Sequence, residues 1–215
     1  MGLDKILCGK FAIMLASMDV TVVESAPDPI PVFQKWLEEA GRSEINDPNA
    51  AALATATPNG IPSVRMVLVK SIDARGFGFY TNARSRKGVE LAANPRAALC
   101  FHWKTLRRQV RAEGAISEIS PEETDAYFHS RSRRSQLGAA ASRQSEILES
   151  REVLVEMVQE LEERVSGEVP RPEWWKGYML WPERVEFWIG EQDRLHDRIL
   201  FERSGDDWVR RRLFP

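Results

Sequence analysis

Residues 50–81 decide the fold, and they read AAALATATPNGIPSVRMVLVKSIDARGFGFYT. Three apolar runs are separated by two short turn sequences, Pro-Asn-Gly at 58–60 and Asp-Ala-Arg-Gly at 73–76. Short turns of this kind join neighbouring antiparallel strands. The stretch therefore predicts strands at 50–57, 61–71 and 77–81.

The rest of the chain continues the pattern of strands joined by short turns. We predict about nine strands in all, the others at 97–104, 109–119, 178–181, 184–189, 194–203 and 208–213. Helices are predicted at 32–40, 85–93, 120–130 and 145–165, with a Ser/Arg-rich loop before the last one. This order favours a mainly β fold, an antiparallel barrel with flanking helices, over a parallel α/β sheet.

Length and composition describe an ordinary globular chain. It has 215 residues, 43% hydrophobic and 29% charged, which suits one domain. We predict an irregular or disordered N-terminal arm at 1–25 and a single domain at 26–215. There is no long apolar run that would predict a membrane span. Cys8 and Cys100 form no metal or disulfide pattern, so we expect no bound metal and a reducing, cytoplasmic location.

The net charge of −2 hides an uneven distribution. Residues 65–145 hold 15 basic and 7 acidic side chains, whereas residues 146–193 hold 5 basic and 13 acidic ones. Arginine, with 23 residues against 7 lysines, is suited to bidentate contacts with phosphate or carboxylate. Arginines 107, 108 and 111, or 131, 133 and 134, could form a nucleic-acid patch, but the acidic helix and the lack of a basic stripe disfavour it.

Three groups of residues could bind anions. The first combines RMVLVK at 65–70 and FYTN at 79–82 with SRKG at 85–88, where hydroxyls and cations meet the start of a predicted helix. The second is Tyr127, Arg131 and Ser135, which would share one face of a continuing helix. The third is Arg194, His196 and Arg198, which would share one face of a strand.

The order of these motifs resembles one known family. RMVLVK (65–70), FYTN (79–82), SRK (85–87), RQV (108–110), YFHSR (127–131), SQLGA (135–139), RQSE (143–146), VEFW (185–188) and RLHDR (194–198) occur in sequence. Together they closely resemble the pyridoxine/pyridoxamine 5'-phosphate oxidases, over about residues 32–215. Each motif alone is weak, but their common order is highly specific.

The resemblance implies a Greek-key split β-barrel, a homodimer, and FMN in clefts at the subunit interface. It implies oxidation of pyridoxamine or pyridoxine 5'-phosphate to pyridoxal 5'-phosphate, with O2 as electron acceptor and H2O2 as product. The FMN contacts it implies are Arg65, Met66, Val67, Leu68, Val69, Lys70, Tyr80, Thr81, Arg86, Lys87, Gln109, Gln144, Ser145, Trp188 and Arg198. The substrate contacts it implies are Lys70, Tyr127, Arg131, Ser135, Arg194 and His196, of which Arg194 and His196 are the catalytic pair.

Two alternatives stay open at the level of sequence. One is a related flavin oxidase of the phenazine-biosynthesis type, which should keep the FMN residues but lose the phosphate clamp. The other is a non-catalytic protein that binds FMN or pyridoxal phosphate. The N-terminal 25 residues also depart from the family, since no Arg precedes Arg42 and no Tyr precedes Tyr80, so no lid contact is carried over.

Overall fold

A computed structural model describes residues 20–215. Within them, eight strands form one antiparallel sheet in the order β3-β2-β1-β4-β5-β6-β7-β8, and pairing of β3 with β6 closes six strands into a barrel. The strands are β1 (Ala50–Ala56), β2 (Pro62–Asp73), β3 (Gly76–Asn82), β4 (Arg96–Trp103), β5 (Arg108–Glu118), β6 (Trp175–Ile189), β7 (Asp197–Ser204) and β8 (Asp207–Arg212).

The connections follow the Greek-key pattern. Strands β1, β2 and β3 are joined by short turns, and β4 then returns to pair with the other edge of β1. This is the spatial order 4-1-2-3 that defines the motif. The predicted fold class, a mainly β antiparallel barrel with flanking helices, is confirmed.

Strand β6 explains why there are eight strands and not nine. The sequence predicts two strands interrupted at Pro182, but β6 runs through this residue without a break. Pro182 pairs with Gly114 where the register between β5 and β6 shifts. A bulge tolerates a residue that lacks a backbone N–H, because no regular ladder hydrogen bond is needed there.

Besides the helical residues 20–25, five helices flank the sheet: α1 (Pro29–Ser43), α2 (Arg86–Ala93), α3 (Pro121–Ser130), α4 (Arg133–Ala141) and α5 (Arg151–Arg164). Helix α1 begins three residues before its predicted start. Asp28 caps it by accepting a 2.8 Å hydrogen bond from the N–H of Ile30. Proline is tolerated in the first turn, where the N–H groups have no helical partner.

Two predictions between residues 131 and 165 are wrong. The Ser/Arg-rich segment is not a loop, because Ser132 caps helix α4, whose Arg, Gln, Leu and Ala residues favour helix. The acidic helix begins at Arg151 and not at Ser145. Ser145 has a φ of 78°, a left-handed conformation that a continuing helix cannot contain.

Aromatic side chains of α1 complete the barrel core. The Phe33 ring lies 4.9 Å from Phe77, and Trp36 lies 5.0 Å from Phe187, both edge to face.

Residues 20–25 of the predicted irregular arm are instead helical, and Val23 is fully buried in the barrel core. The rest of that arm, residues 1–19, lies outside the described part of the chain. None of the helices in residues 20–215 has the length and apolar character needed to cross a membrane.

Candidate active site

One cavity beside the barrel collects most of the residues predicted to bind phosphate. Its volume is about 470 Å³, within the usual range for small-molecule sites. It is lined by Met66, Val67, Leu68, Lys70, Tyr80, Thr81, Lys87, Tyr127, Arg131, Ser132, Ser135, Gln144 and Trp175. Residues of the first and second predicted groups therefore meet in one place, although up to 69 positions separate them in sequence.

Strand β2 supplies one wall of the cavity. Met66, Leu68 and Lys70 are exposed and alternate with less exposed residues along the strand, as the two-residue repeat of a strand requires. The register with β3 shifts between Val69 and Ser71, so Lys70 sits at a bulge. Val69 is 2% exposed and belongs to the barrel core, and its backbone N–H and carbonyl are both hydrogen-bonded to Asn49.

Arg65 does not line this cavity. Its guanidinium donates to the carbonyl of Leu53 at 3.1 Å and to the hydroxyl of Thr55 at 2.5 Å. It also lies 3.4 Å from a carboxylate oxygen of Glu90. Arg65 and Lys70 therefore have different surroundings, although both lie on β2.

Lys87 is the centre of a compact polar network. Its Nζ donates to the hydroxyls of Thr81 at 3.2 Å and Ser85 at 3.1 Å, and to Oε1 of Gln144 at 2.8 Å. All three acceptors are neutral. Burial, together with the nearby charge of Arg65, lowers the pKa of Lys87 to about 8. An anion here would restore the charge balance that the neutral acceptors do not provide.

The start of helix α2 brings backbone N–H groups to the same region. The helix begins at Arg86, one residue after its predicted start, because Ser85 is the cap residue, and the Oγ of Ser85 accepts from the N–H of Gly88. A Cβ atom at Gly88 would lie 2.3 Å from the carbonyl oxygen of Ala83, so only glycine permits this tight entry to the helix. Arg86, one residue after the cap, is largely exposed, and its Nε pairs with Glu90.

Glu90 is a buried carboxylate that the sequence reasoning missed. It accepts hydrogen bonds from Thr55 and Ser63, both at 2.5 Å, and from Nε of Arg86 at 3.0 Å. Burial opposes its ionisation, but these hydrogen bonds prevail and lower the pKa of Glu90 to about 2. The spacing of Arg86 and Glu90, four residues apart on one helix, is the signal that could have revealed it.

Ser145 lies at a helix start, but not at the predicted one. Its Oγ accepts from the backbone N–H of Arg86 at 3.2 Å, which places it at the first turn of α2 and not at the head of the acidic helix. Gln144, beside it, faces Lys87. The segment after α4 therefore crosses the start of α2.

Another part of the cavity lining consists of aromatic rings in contact with one another. Tyr80 and Tyr127 stack with centroids 4.1 Å apart, and Tyr80 and Trp175 stack at 5.3 Å. The guanidinium carbon of Arg131 lies 5.1 Å from the Trp175 ring centroid. Trp175 and Ser132 line the cavity but were not predicted. The sequence offered only a Trp-Trp pair in a loop and a Ser three positions before Ser135.

The predicted continuous helix that would carry Tyr127, Arg131 and Ser135 does not form. Two helices and the segment between them bring these residues to the cavity instead. Helix α3 ends at Ser130, and Arg131 and Ser132 are extended before α4 begins. The amide Nε2 of the buried Gln136 donates to the carbonyls of Arg131 at 2.8 Å and of His129 at 3.2 Å. This residue satisfies the carbonyls left free where α3 ends.

Arg131 carries an unused hydrogen-bond donor. Its Nη1 is buried and has no protein partner, and burial lowers the pKa of its guanidinium. Buried donors without partners are rare and costly in native proteins. With Lys70, Ser132 and Ser135 around the same cavity, the donor set fits an anionic group such as a phosphate.

The third predicted group forms a separate cluster. Gln109, Trp188 and Arg198 lie side by side on β5, β6 and β7, and the His196 ring lies 4.6 Å from Trp188. Nδ1 of His196 accepts from the N–H of Glu191 at 3.1 Å. For a neutral imidazole, this assigns the ring proton to Nε2.

The predicted strand at 194–203 begins too early. Residues Gln192–Arg194 form a 3₁₀ turn, with positive φ at Asp193 (55°) and Arg194 (62°). Strand β7 starts at Asp197. Arg194, His196 and Arg198 therefore do not form one strand face, and the exposed side chain of Arg194 lies on a loop.

Glu186 holds Arg198 in place within this cluster. Arg198 donates to its two carboxylate oxygens at 2.8 and 3.1 Å, and Arg111 also pairs with it. Burial opposes ionisation of Glu186, but the hydrogen bonds from the two arginines hold its pKa below the usual range. Neither Glu186 nor Arg111 was predicted as a site residue. Among residues 20–215, no cluster of His, Cys, Asp and Glu could hold a metal ion.

The closed six-stranded antiparallel barrel with flanking helices is the fold of the split-barrel FMN-binding proteins. The family model described as pyridoxamine 5'-phosphate oxidase matches residues 37–164. The model described as the pyridoxine 5'-phosphate oxidase C-terminal dimerisation region matches residues 175–215. The chain therefore belongs to the pyridoxine/pyridoxamine 5'-phosphate oxidase family.

Individual relatives agree with this assignment. The chain is 56% identical over 193 residues to the pyridoxine/pyridoxamine 5'-phosphate oxidase of Erythrobacter litoralis, covering 87% of this chain and 91% of the relative. It is 57% identical over 190 residues to the protein of the same name from Rubrobacter xylanophilus, covering 88% of each. Among solved structures, PhzG from Burkholderia lata, in complex with tetrahydrophenazine-1-carboxylic acid, is 36% identical with a TM-score of 0.83, covering 89% of this chain and 94% of PhzG.

Proposed function

We propose that this chain is an FMN-dependent oxidase that converts pyridoxamine or pyridoxine 5'-phosphate to pyridoxal 5'-phosphate. O2 is the electron acceptor and H2O2 the product. The observation that carries the proposal is the single cavity with two anion-binding ends, one around Lys87 and one around Arg131. A phosphorylated flavin and a phosphorylated substrate require two such ends.

The Lys87 end holds the FMN phosphate. Lys87 and the exposed Arg86 supply the positive charge, and the first N–H groups of α2 face the same region. Thr81 and Gln144, which already bond to Lys87, fix the direction of its ammonium group. Arg65 does not line the cavity but adds positive charge near it, and Glu90 holds Arg65 and Arg86 in place through ion pairs.

The Arg131 end holds the phosphate of the substrate. Arg131 offers its unpartnered Nη1, and Lys70 and the hydroxyls of Tyr127 and Ser135 surround it. Phosphate contacts far from the reacting carbon orient the substrate and lower the entropic part of the barrier. This clamp also selects phosphorylated over unphosphorylated rings.

When bound, FMN supplies the two-electron chemistry, and its reduced form is reoxidised by O2. The protein holds the pyridine ring against it. We assign this role to Arg194 and His196, whose Nε2–H is free to donate because Nδ1 accepts from Glu191. A cation and a hydrogen-bond donor at these positions would stabilise negative charge that develops on the substrate.

The position of the third cluster supports a homodimer with the active site between subunits. Tyr80 pairs with Gly177 on β6, and Trp188 lies eleven residues further along the same strand, roughly 35 Å of chain. The match of residues 175–215 to a dimerisation region supports a homodimer. We infer that the Gln109–Trp188–Arg198 cluster of one subunit completes the cavity of the other, with FMN between them.

A spectroscopic experiment tests the proposed function. Purified protein should be yellow, with a flavin spectrum that bleaches when pyridoxine 5'-phosphate is added without oxygen and returns on aeration. Loss of colour must be accompanied by formation of one pyridoxal 5'-phosphate per flavin. A protein that cannot take up FMN, or whose flavin is not reduced by either substrate, would refute the proposal.

The phenazine-type alternative differs in its substrate. A ring substrate without phosphate needs no clamp, whereas this cavity brings Tyr127, Arg131 and Ser135 together. The chain is also more similar to the oxidases, at 56–57% identity, than to PhzG at 36%. Reduction of the flavin by an unphosphorylated cyclic carboxylic acid, but not by pyridoxine 5'-phosphate, would favour the alternative.

A further inference from the structure

Trp175 is the largest cavity residue to which the family motifs assign no role. It begins β6, pairs with Asn82 of β3, and is 5% exposed. Its ring is parallel to that of Tyr80 to within 9° and to that of Tyr127 to within 13°. The three rings therefore lie nearly parallel in one compact aromatic group at the cavity, with every pair of centroids within 6.1 Å.

Arg131 lies against this ring and depends on it for orientation. Its guanidinium carbon is 5.1 Å from the Trp175 centroid and 5.9 Å from that of Phe128. Its Nη1 is buried without a hydrogen-bond partner, and no salt bridge to a carboxylate is found for Arg131 within residues 20–215. In the absence of ligand, aromatic faces supply its close contacts.

Trp175 is itself held firmly. Its backbone carbonyl accepts from Nη1 of Arg171 at 2.8 Å, and Arg171 pairs with Asp125 on α3. Helix α3 thus connects the start of β6 to the segment that carries Arg131. The ring has a fixed position against which a guanidinium can be oriented.

We propose that Trp175 is a positioning residue for the substrate phosphate, because its indole face holds the Arg131 guanidinium in the orientation that meets the phosphate. An acidic partner would hold Arg131 equally well but would neutralise the charge that the phosphate needs. An aromatic face orients the guanidinium and leaves its hydrogen-bond donors free. This inference rests on the proposed function.

Packing alone is the competing explanation for Trp175. It contacts Phe128, Leu137 and Val169 in a small apolar cluster, and loss of its ring would loosen this cluster whatever Arg131 does. Packing predicts equal effects on every ligand of the cavity. The positioning role predicts an effect confined to the phosphate, which separates the two explanations.

The experiment compares two ligands of the FMN-loaded protein that differ only in phosphate, pyridoxal 5'-phosphate and pyridoxal. Binding is followed by the change in flavin absorbance. In Trp175→Leu, the Kd of pyridoxal 5'-phosphate should rise roughly tenfold, while that of pyridoxal stays within about twofold. Trp175→Phe keeps an aromatic face and should stay within about threefold of wild type for both.

Trp174→Leu is the matched control. Trp174 is the preceding residue, but it contacts Arg84, at 4.4 Å, and lines a different cavity. It should leave both affinities unchanged. In an Arg131→Ala background, Trp175→Leu should cause no further loss of phosphate selectivity, because the two residues act as one unit.

Two results would overturn the inference. One is an equal loss of affinity for both ligands in Trp175→Leu, which indicates packing, and the other is unchanged selectivity. If Trp175→Leu does not fold, Trp175→Met takes its place. The preference for pyridoxal 5'-phosphate over pyridoxal must then be lower in Trp175→Met than in Trp175→Phe. A wild-type protein that binds neither FMN nor pyridoxal 5'-phosphate would instead refute the proposed function.

Discussion

The backbone N–H of Arg86 donates to the hydroxyl of Ser145 at 3.2 Å across 59 residues of sequence. This bond ties the start of α2 to the segment that follows α4. Gln144 in that segment also accepts from Lys87 at 2.8 Å. The proposed phosphate-binding start of α2 and the proposed substrate-binding region around α4 are therefore linked by hydrogen bonds, and FMN affinity should depend on residues from both.

Lys87 should make FMN binding sensitive to pH. Its pKa is lowered to about 8, so the ammonium form that attracts phosphate is lost as pH rises through 8. The FMN phosphate is already a dianion above about pH 7. We expect the Kd of FMN to be constant from pH 7 to 7.5 and to rise about tenfold by pH 9, measured by flavin fluorescence quenching.

Variants of Lys87 test the origin of this pH dependence. Lys87→Met should bind FMN more weakly and show no rise in Kd between pH 7 and 9. Lys104→Met removes an exposed lysine and should behave as wild type. A Lys87→Met protein that keeps the wild-type pH dependence would show that another group titrates.

Glu90 should stabilise the apoprotein more than the FMN complex. Without FMN, it is the carboxylate that compensates Arg65 and Arg86, whereas bound phosphate supplies further negative charge. Glu90→Gln should lower the free energy of unfolding of the apoprotein by about 2 kcal/mol, with a smaller loss in the complex. Thermal unfolding with and without FMN measures both values.

The pH dependence of this contribution has a defined sign. The pKa of Glu90 is depressed to about 2, so its stabilisation is complete above about pH 4.5 and is lost as pH falls toward 2. Glu118→Gln, which removes an exposed carboxylate paired with Lys176, is the control and should cost less than about 0.5 kcal/mol. Equal losses in apoprotein and complex would contradict the proposed compensation.

Gln136 should control the position of Arg131 through the backbone. Its amide bridges the carbonyls of His129 and Arg131, and Gln136→Ala would leave both without this donor. We expect a loss of about 1–3 kcal/mol in unfolding free energy and a higher KM for pyridoxine 5'-phosphate, with unchanged FMN affinity. Gln159→Ala on the exposed side of α5 is the control, and a stability loss without any change in KM would limit Gln136 to a structural role.

Local signals in the sequence predict much of this fold. The strands from 50 to 119, the helix starts near Ser85 and Ser120, and the antiparallel order follow from alternation and from turn and helix-start residues. The errors occur where a tertiary contact overrides a local pattern. Pro182 continues a strand because a bulge faces it, and Ser145 leaves the helix because it caps another.

In the candidate site, too, local motifs predict some residues, whereas others depend on tertiary contacts. Motif order selects Lys70, Tyr127, Arg131 and Ser135, and the structure places all four around one cavity. Trp175 has no such signal, since its role depends on a ring stack between distant segments. The turn at Arg194 was missed because two successive residues with positive φ break the alternation that RLHDR otherwise suggests.

Mixed dimers should reveal whether the two halves of the active site come from different subunits. Arg131→Ala and Arg194→Ala should each reduce activity at limiting substrate about a hundredfold or more when present in both subunits, while FMN stays bound. In a mixed dimer, one cavity combines an intact Arg131 from one subunit with an intact Arg194 from the other. Random assembly makes about half of the dimers mixed, each with one intact site of two, so co-expression should restore about one quarter of wild-type activity.

The same variants purified separately and assayed together before subunits exchange provide the control and should show only the average of their own low activities. If the co-expressed sample shows no more than this average, Arg131 and Arg194 act within one chain, and the placement of the active site between subunits is wrong.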